Sequence, residues 1–253
     1  MFRSYAILAG LFMSLGLGAS AYAAHALPTY ITTAVNDASR PDADKARDAD
    51  RKPAEVIAFA GGKPGQKVAD FLPGGGYFTR LFAKVVGPKG HVYAFIPEEL
   101  LKMRATAADG IKALSSDPGY ANVSVVQAPA SEFKAPEPLD LVWTSQNYHD
   151  LHNKNFGGDV ATFNKAVFAA LKPGGLYIVL DHVASAAAPA DVTETLHRIN
   201  PEVVKQEVAA AGFKFESASD ALKNPADDHS AKVFDPSVRG KTDQFILKFR
   251  KPK

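Results

Sequence analysis

Between residues 66 and 249 the chain alternates short β-type apolar runs with segments of helical spacing, and that order leaves few architectures open. Strand-like runs fall at residues 66–72, 91–96, 123–126, 139–144, 176–180, 213–216 and 243–249. Between them, residues 77–86 carry Phe78, Leu81, Phe82, Val85 and Val86 at helical spacing, and Pro97-Glu98-Glu99 opens a second helix. A third spans about 159–171, closed by Lys172-Pro173-Gly174-Gly175. A fourth runs over 200–211, with Asn200 as N-cap, Pro201 in the first turn and Gly212 as stop. Alternation of this kind specifies an α/β domain: an open, mostly parallel sheet with helices on both faces.

Composition narrows the chemistry. The chain has no cysteine, which excludes disulfides, thiol nucleophiles and cysteine-ligated metal. Its 29 basic and 27 acidic side chains leave no electrostatic footprint for nucleic acid. The N-terminus has one arginine, Arg3, a short apolar core and the small-residue tail Ala19-Ser20-Ala21-Tyr22-Ala23, the pattern of a secretory leader. Residues 1–23 are therefore expected to be a signal peptide, cleaved after Ala23, which sends the protein to the periplasm or outside the cell. Residues 24–52 form an N-terminal extension ending in a charged helix, and residues 53–253 form the main domain. The stretch 220–241 is an excursion between the last two strands, a candidate cover for a site.

The sharpest local feature is Asp70-Phe71-Leu72-Pro73-Gly74-Gly75-Gly76-Tyr77, a strand that runs through glycines into a helix. Glycine permits positive φ and close approach of a ligand to the backbone, and the helix start offers free N–H groups. The loop lacks the Gly-Lys-Ser/Thr end of a phosphate-cradling loop. The third glycine of a dinucleotide fingerprint would fall on Thr79. Read alone, the segment also fits a tight turn with no ligand.

Val68-Ala69-Asp70 with Gly74-Gly75-Gly76, Gly87-Pro88-Lys89-Gly90-His91, Leu139-Asp140-Leu141-Val142-Trp143 and Leu171-Lys172-Pro173-Gly174-Gly175 together resemble the class I S-adenosylmethionine-dependent methyltransferases. Phe71-Leu72-Pro73-Gly74-Gly75-Gly76-Tyr77, Asn147-Tyr148-His149-Asp150 and the stretch 233–243 look like a group of exported, mostly uncharacterised bacterial members. The resemblance implies a three-layer α-β-α sandwich around a seven-stranded, mostly parallel, Rossmann-like sheet with its last strand antiparallel. It implies S-adenosyl-L-methionine as cofactor, held by Asp70, Leu72, Gly74, Gly75, Gly76, Phe95, Gln127 and Asn147. Where the family usually has an acid for the ribose, this chain has Phe95-Ile96, with Glu98 and Glu99 just beyond.

The ends of the fourth and fifth strands bring a polar rim: Asn147, Tyr148, His149 and Asp150 from one, Asp181 and His182 from the other. Histidine moves protons near neutral pH. The catalytic set is accordingly His149 as base, Asp150 as its orienting partner, His182 and Tyr148, with Arg198 and His197 holding substrate. His149, Asp150, His152 and His182 offer enough donors for a divalent ion, but no known metal motif accompanies them, and no metal centre is expected. Two functions follow: a methyltransferase acting on a small molecule, or an exported non-catalytic ligand-binding protein on the same fold. Neither needs a nucleic acid or a membrane anchor after cleavage; the oligomeric state is left open.

Overall fold

The computed structural model describes residues 26–156 and 159–253, so the leader pattern at residues 1–23 lies outside the described residues. Seven strands, β1 (Lys67–Phe71), β2 (His91–Pro97), β3 (Val123–Ala128), β4 (Leu139–Ser145), β5 (Leu171–His182), β6 (Lys214–Ser219) and β7 (Gln244–Arg250), form one sheet in the order β3-β2-β1-β4-β5-β7-β6. β1 to β5 run parallel; β7 lies antiparallel between β5 and β6. This is the mostly parallel seven-stranded sheet that the sequence predicts.

The central strands are buried on both faces, so alternate residues feed two separate cores. Val92, Ala94 and Ile96 of β2, Leu141 and Trp143 of β4 and Ile178 and Leu180 of β5 pack one way. They meet α1 (Thr29–Val35), α4 (Pro53–Ala60), α5 (Tyr77–Val86) and α7 (Asp109–Ser115). Tyr93, Phe95, Val142, Tyr177 and Val179 pack the other way, against α8 (Val160–Ala170) and α10 (Pro201–Ala210). Asp159 caps α8 by accepting from Thr162 N–H, and Asn200 caps α10 by accepting from Glu202 N–H. The turn 172–175 loops out between two paired positions of β5, since Leu171 sits opposite Leu139 and Leu176 opposite Leu141.

The N-terminal extension departs most from expectation. Residues 24–40 lack clear periodicity, yet α1 forms there because Ile31 and Ala34 drop into the core. The charged run beyond it forms two single helical turns, α2 (Asp42–Lys45) and α3 (Asp48–Arg51), followed by the packed helix α4. Lys52, at φ 42°, and Pro53 break the run. Buried Arg40 holds these turns in place through a two-pronged pair with Asp48 (2.7 and 2.8 Å), which also accepts from the Tyr77 hydroxyl (2.6 Å) at the start of α5. Among the described residues no helix is long and apolar enough to cross a membrane.

The return from α5 to β2 depends on Gly90, where an added Cβ would lie 2.4 Å from Val86 Cβ and 2.7 Å from the Gln66 carbonyl. Gly90→Ala is expected to cost roughly 1–3 kcal/mol. A lower urea midpoint at unchanged slope is the expected readout.

Candidate active site

Strands β1 to β3 are added toward one edge of the sheet and β4 and β5 toward the other, so the strand order switches between β1 and β4, and the crevice of an open α/β sheet lies there, beyond the carboxyl ends. Both strands end in backbone conformations that side chains rarely adopt: Leu72 at φ 54° and Gln146 at φ 62°. Asn147 Nδ2 donates to the Leu72 carbonyl (2.9 Å) and clamps the two ends together. A cavity of about 230 Å³ opens beside them, lined by Asp70, Leu72, Gly74, Gly75 and Asn147, and by Arg47 and Arg51 from the extension. A Cβ added at Gly74 or Gly75 meets nothing within 4 Å, so the backbone there faces open space. Gly76 differs: it caps α5 at φ 85°, an added Cβ would press on Ile111 and Leu114, and it does not line the cavity.

Asp70 shares the α5-side parity of Val68 and is buried, with one hydrogen bond, from the Thr79 hydroxyl (2.6 Å). Burial pushes its carboxyl up to about 7, against the pull of Thr79 and of the Arg51 charge. Arg51 lies 4.6 Å from the Tyr77 ring centroid and donates to Gln146 Oε1 (3.2 Å). Burial and neighbouring Arg47 bring its guanidinium down to about 10, still charged at neutral pH.

A second cavity, of about 530 Å³, shares Arg47, Arg51 and Gln146 with the first and adds His182, Phe234 and Arg239. The excursion between β6 and β7 supplies Phe234 and Arg239, so it walls this cavity. His182 is buried to 8% exposure; its Nδ1 pairs with the Thr242 hydroxyl (2.6 Å), and no described residue partners Nε2. Burial pushes the ring down to about 4, leaving a neutral imidazole at the cavity wall at physiological pH.

The remaining rim residues turn inward. Fully buried Asp181 accepts from the backbone N–H groups of His149 and His182 (both 2.8 Å) and from His149 Nδ1 (2.9 Å). Burial opposes its charge, yet His149 and these donors hold it below the ordinary carboxylate range. Burial likewise disfavours a charged His149, but the carboxylates of Asp181 and Asp150 outweigh it and raise the ring. His149 lines neither cavity; its Nε2 faces His197 Nδ1 at 3.3 Å, and Asp150 stands beside both rings. Half-buried His197, at φ 55°, packs against Phe234.

Four further sequence expectations fail on geometry. Tyr148 is fully buried, its hydroxyl donating to Glu207 (2.9 Å) and accepting from Asn164 (2.8 Å), so it is a strut between β4, α8 and α10. Arg198 is also fully buried: both terminal nitrogens grip Asp227 (2.9 and 3.0 Å) and Nε donates to the Ala231 carbonyl (3.0 Å). Its fork staples the excursion and lines neither cavity. Phe95 takes the α8-side parity and packs on Phe71 and Phe133. Gln127, exposed on edge strand β3, reaches neither cavity.

Comparison with known proteins gives a consistent result at the level of fold. No family model matches the chain. A SAM-dependent methyltransferase from Aquifex aeolicus superposes with a TM-score of 0.56 at 20% identity, over 83% of this chain and 98% of that one. The glycopeptide N-methyltransferase MtfA, complexed with S-adenosyl-L-methionine, gives 0.55 at 18% identity, over 79% and 87%. This is the class I S-adenosylmethionine-dependent methyltransferase fold. In sequence, the ubiquinone/menaquinone biosynthesis C-methyltransferase UbiE of Vibrio vulnificus (strain YJ016) is 34% identical over 128 residues, 50% of this chain and 45% of that one. The Ectopseudomonas mendocina (strain ymp) protein of the same name is 32% identical over 131 residues, with the same coverage. The chain thus spans less than half the length of these relatives.

Within this methyltransferase fold, the two acids after β2 have different surroundings. The Glu99 carboxylate accepts from Ala130 N–H (3.1 Å), whereas among the described residues Glu98 has no such partner. Arg47 and Arg51 are the site residues that sequence reasoning missed. Their spacing of four in a run of mixed charge reads as a solvated face, and only docking of α3 on Tyr77 turns them inward.

Asp70 ties ligand chemistry to stability. An unfolded aspartate ionises near 3.8, so the native chain binds the extra proton between that pH and about 7, and stability falls as pH rises across this window. The penalty above it is on the order of 4 kcal/mol. Asp70→Asn should raise the urea midpoint at pH 8 and leave it nearly unchanged at pH 4; equal shifts at both would refute the assignment.

Proposed function

We propose that this protein is an exported S-adenosylmethionine-dependent methyltransferase that acts on a small molecule, with His182 as general base. The observation that carries the reading is a pair of neighbouring cavities that share Arg47, Arg51 and Gln146. One is a glycine-floored cleft with Asp70 and Arg51 in its wall, and the other is walled in part by the neutral ring of His182. The methyltransferases named above, among them one complexed with this cofactor, support it. Export rests on the leader pattern of residues 1–23.

The residues fit the cofactor. Its amino-acid end carries one positive and one negative group, and the first cavity presents one buried carboxyl and one half-buried guanidinium. Asp70 would take the ammonium, at the same time lowering its own pKa, and Arg51 the carboxylate. Gly74 and Gly75 let the ligand lie against the backbone, and Glu98, the acid beyond β2, would take the ribose hydroxyls. When bound, the cofactor supplies an electrophilic methyl carbon on a sulfonium.

This chain's part in the reaction is to position an acceptor in the second cavity and to remove its proton. In the tautomer whose Nδ1 donates to the Thr242 hydroxyl, the neutral ring leaves Nε2 free to receive that proton. Arg239 and Arg47 line the same space and favour an acceptor with an anionic or oxygen-rich group. They fill the role that the sequence reading gave to Arg198.

Calorimetric titration with S-adenosylmethionine and S-adenosylhomocysteine tests the cofactor site. Micromolar binding is expected; Gly75→Val, which fills the cleft without a positive-φ penalty, should abolish it, and Arg51→Met should weaken it tenfold or more. Absence of heat at millimolar ligand would leave only a ligand-binding domain on this fold. His182→Ala should keep cofactor affinity and lower release of S-adenosylhomocysteine, with a panel of phenolic, amine and carboxylate acceptors, by about 10²–10⁴-fold. An unchanged rate would place the base elsewhere.

A further inference from the structure

Beside the acceptor cavity three side chains from two segments converge without a cation among them. His149 and Asp150 come from the turn after β4, and His197 from the loop before α10. His149 Nε2 lies 3.3 Å from His197 Nδ1 and 3.4 Å from Asp150 Oδ1, and the last two atoms are 3.9 Å apart. Donors bound about 2.0–2.2 Å from a tetrahedral ion stand about 3.3–3.5 Å from each other, so two edges of this triangle have coordination dimensions and the third is slightly open.

We infer that His149 Nε2, His197 Nδ1 and Asp150 form a three-ligand site for a divalent transition-metal ion, zinc first, with its fourth position open.

Further features favour it. Asp181 accepts from His149 Nδ1 (2.9 Å), which fixes the tautomer with the Nε2 lone pair turned toward the other two ligands. This is the carboxylate–histidine support seen behind metal-bound imidazoles. Asn153 Nδ2 donates to Asp150 Oδ1 (3.2 Å), an outer contact to the carboxylate ligand. No lysine or arginine among the described residues pairs with Asp150 or Asp181, so two carboxylates share this pocket with only imidazoles for company. His197 reaches the others from a left-handed backbone conformation, φ 55°. The donor set, two imidazoles and one carboxylate without sulfur, suits zinc, cobalt or iron(II) over magnesium or calcium. Asp150 and His197 keep partial solvent contact, which leaves a side for the fourth position. Phe234 packs on His197 and also walls the acceptor cavity, so the ion would lie next to that cavity and not in the glycine cleft.

The test is titration of chelator-stripped protein with Co²⁺, followed by visible absorption, with competition by Zn²⁺. One equivalent should bind at micromolar affinity or tighter, give the bands of a low-coordinate nitrogen/oxygen site, and be displaced by Zn²⁺. His197→Ala and Asp150→Asn, both partly exposed and checked for folding by circular dichroism, should each weaken binding by at least tenfold. His152→Ala, whose ring pairs with Glu207 outside the triangle, should not. No saturable Co²⁺ uptake at millimolar concentration, or uptake unaltered in the first two variants, would overturn the proposal. Neither result depends on S-adenosylmethionine binding.

Discussion

The side-chain parity of the central strands decides what can reach the ligand. The buried apolar residues of β2, β4 and β5 divide between two cores, and a polar group gains access to the crevice only where a strand ends. The fixed hand of the alternation sends Phe95 into one core and Trp143 into the other. It also carries Asp70 to the α5 face, one residue before the chain leaves the sheet. The strained backbone at Leu72 and Gln146 is where the two central strands break that alternation, and both residues line the first cavity.

Two buried carboxylates within this frame behave in opposite ways, and the difference separates support from ligand binding. Asp181 has two backbone N–H groups and an imidazole around it, and its charge is stabilised although no surface of it reaches water. It fixes the end of β5 to the turn after β4, and its environment is complete. Asp70 is as deeply placed but has a single hydroxyl partner, so burial dominates and the acid form persists toward neutral pH. A carboxyl left short of donors beside an open cavity gains when a cationic group arrives, which is the property a binding residue needs.

Much of this could be read from sequence because the determining physics is local. The period of the apolar residues, the caps at Asp159 and Asn200 and the glycines between β1 and α5 act within a few residues of themselves. The failures involve partners distant in the chain. Arg198 looks like an anion binder until Asp227, 29 residues on, takes its fork. Tyr148 looks like a rim hydroxyl until Glu207 and Asn164 claim it from two helices. Helix α1 has too few apolar positions to announce itself and exists because Ile31 and Ala34 find a core already assembled. Sequence puts His149 before His182 as base; both stand near a strand end, and only the path of the chain after β4 turns His149 away from the cavities.

The extension is therefore part of the site and not an appendage. Tyr77 is the first residue of α5 after the glycine loop; its hydroxyl is held by Asp48, and its ring lies beneath Arg51. Asp48 is in turn gripped by Arg40, so a chain of contacts runs from the extension to the glycine loop through one aromatic side chain. The guanidinium that faces the cavity is thus positioned by the same residue that starts the helix of the ligand loop. A ligand engaging Arg51 and the glycine floor together binds only the docked arrangement of α2 and α3, and by linkage it must favour that docking. The charged run that reads in sequence as a solvent-facing helix is in the folded protein one wall of the cleft.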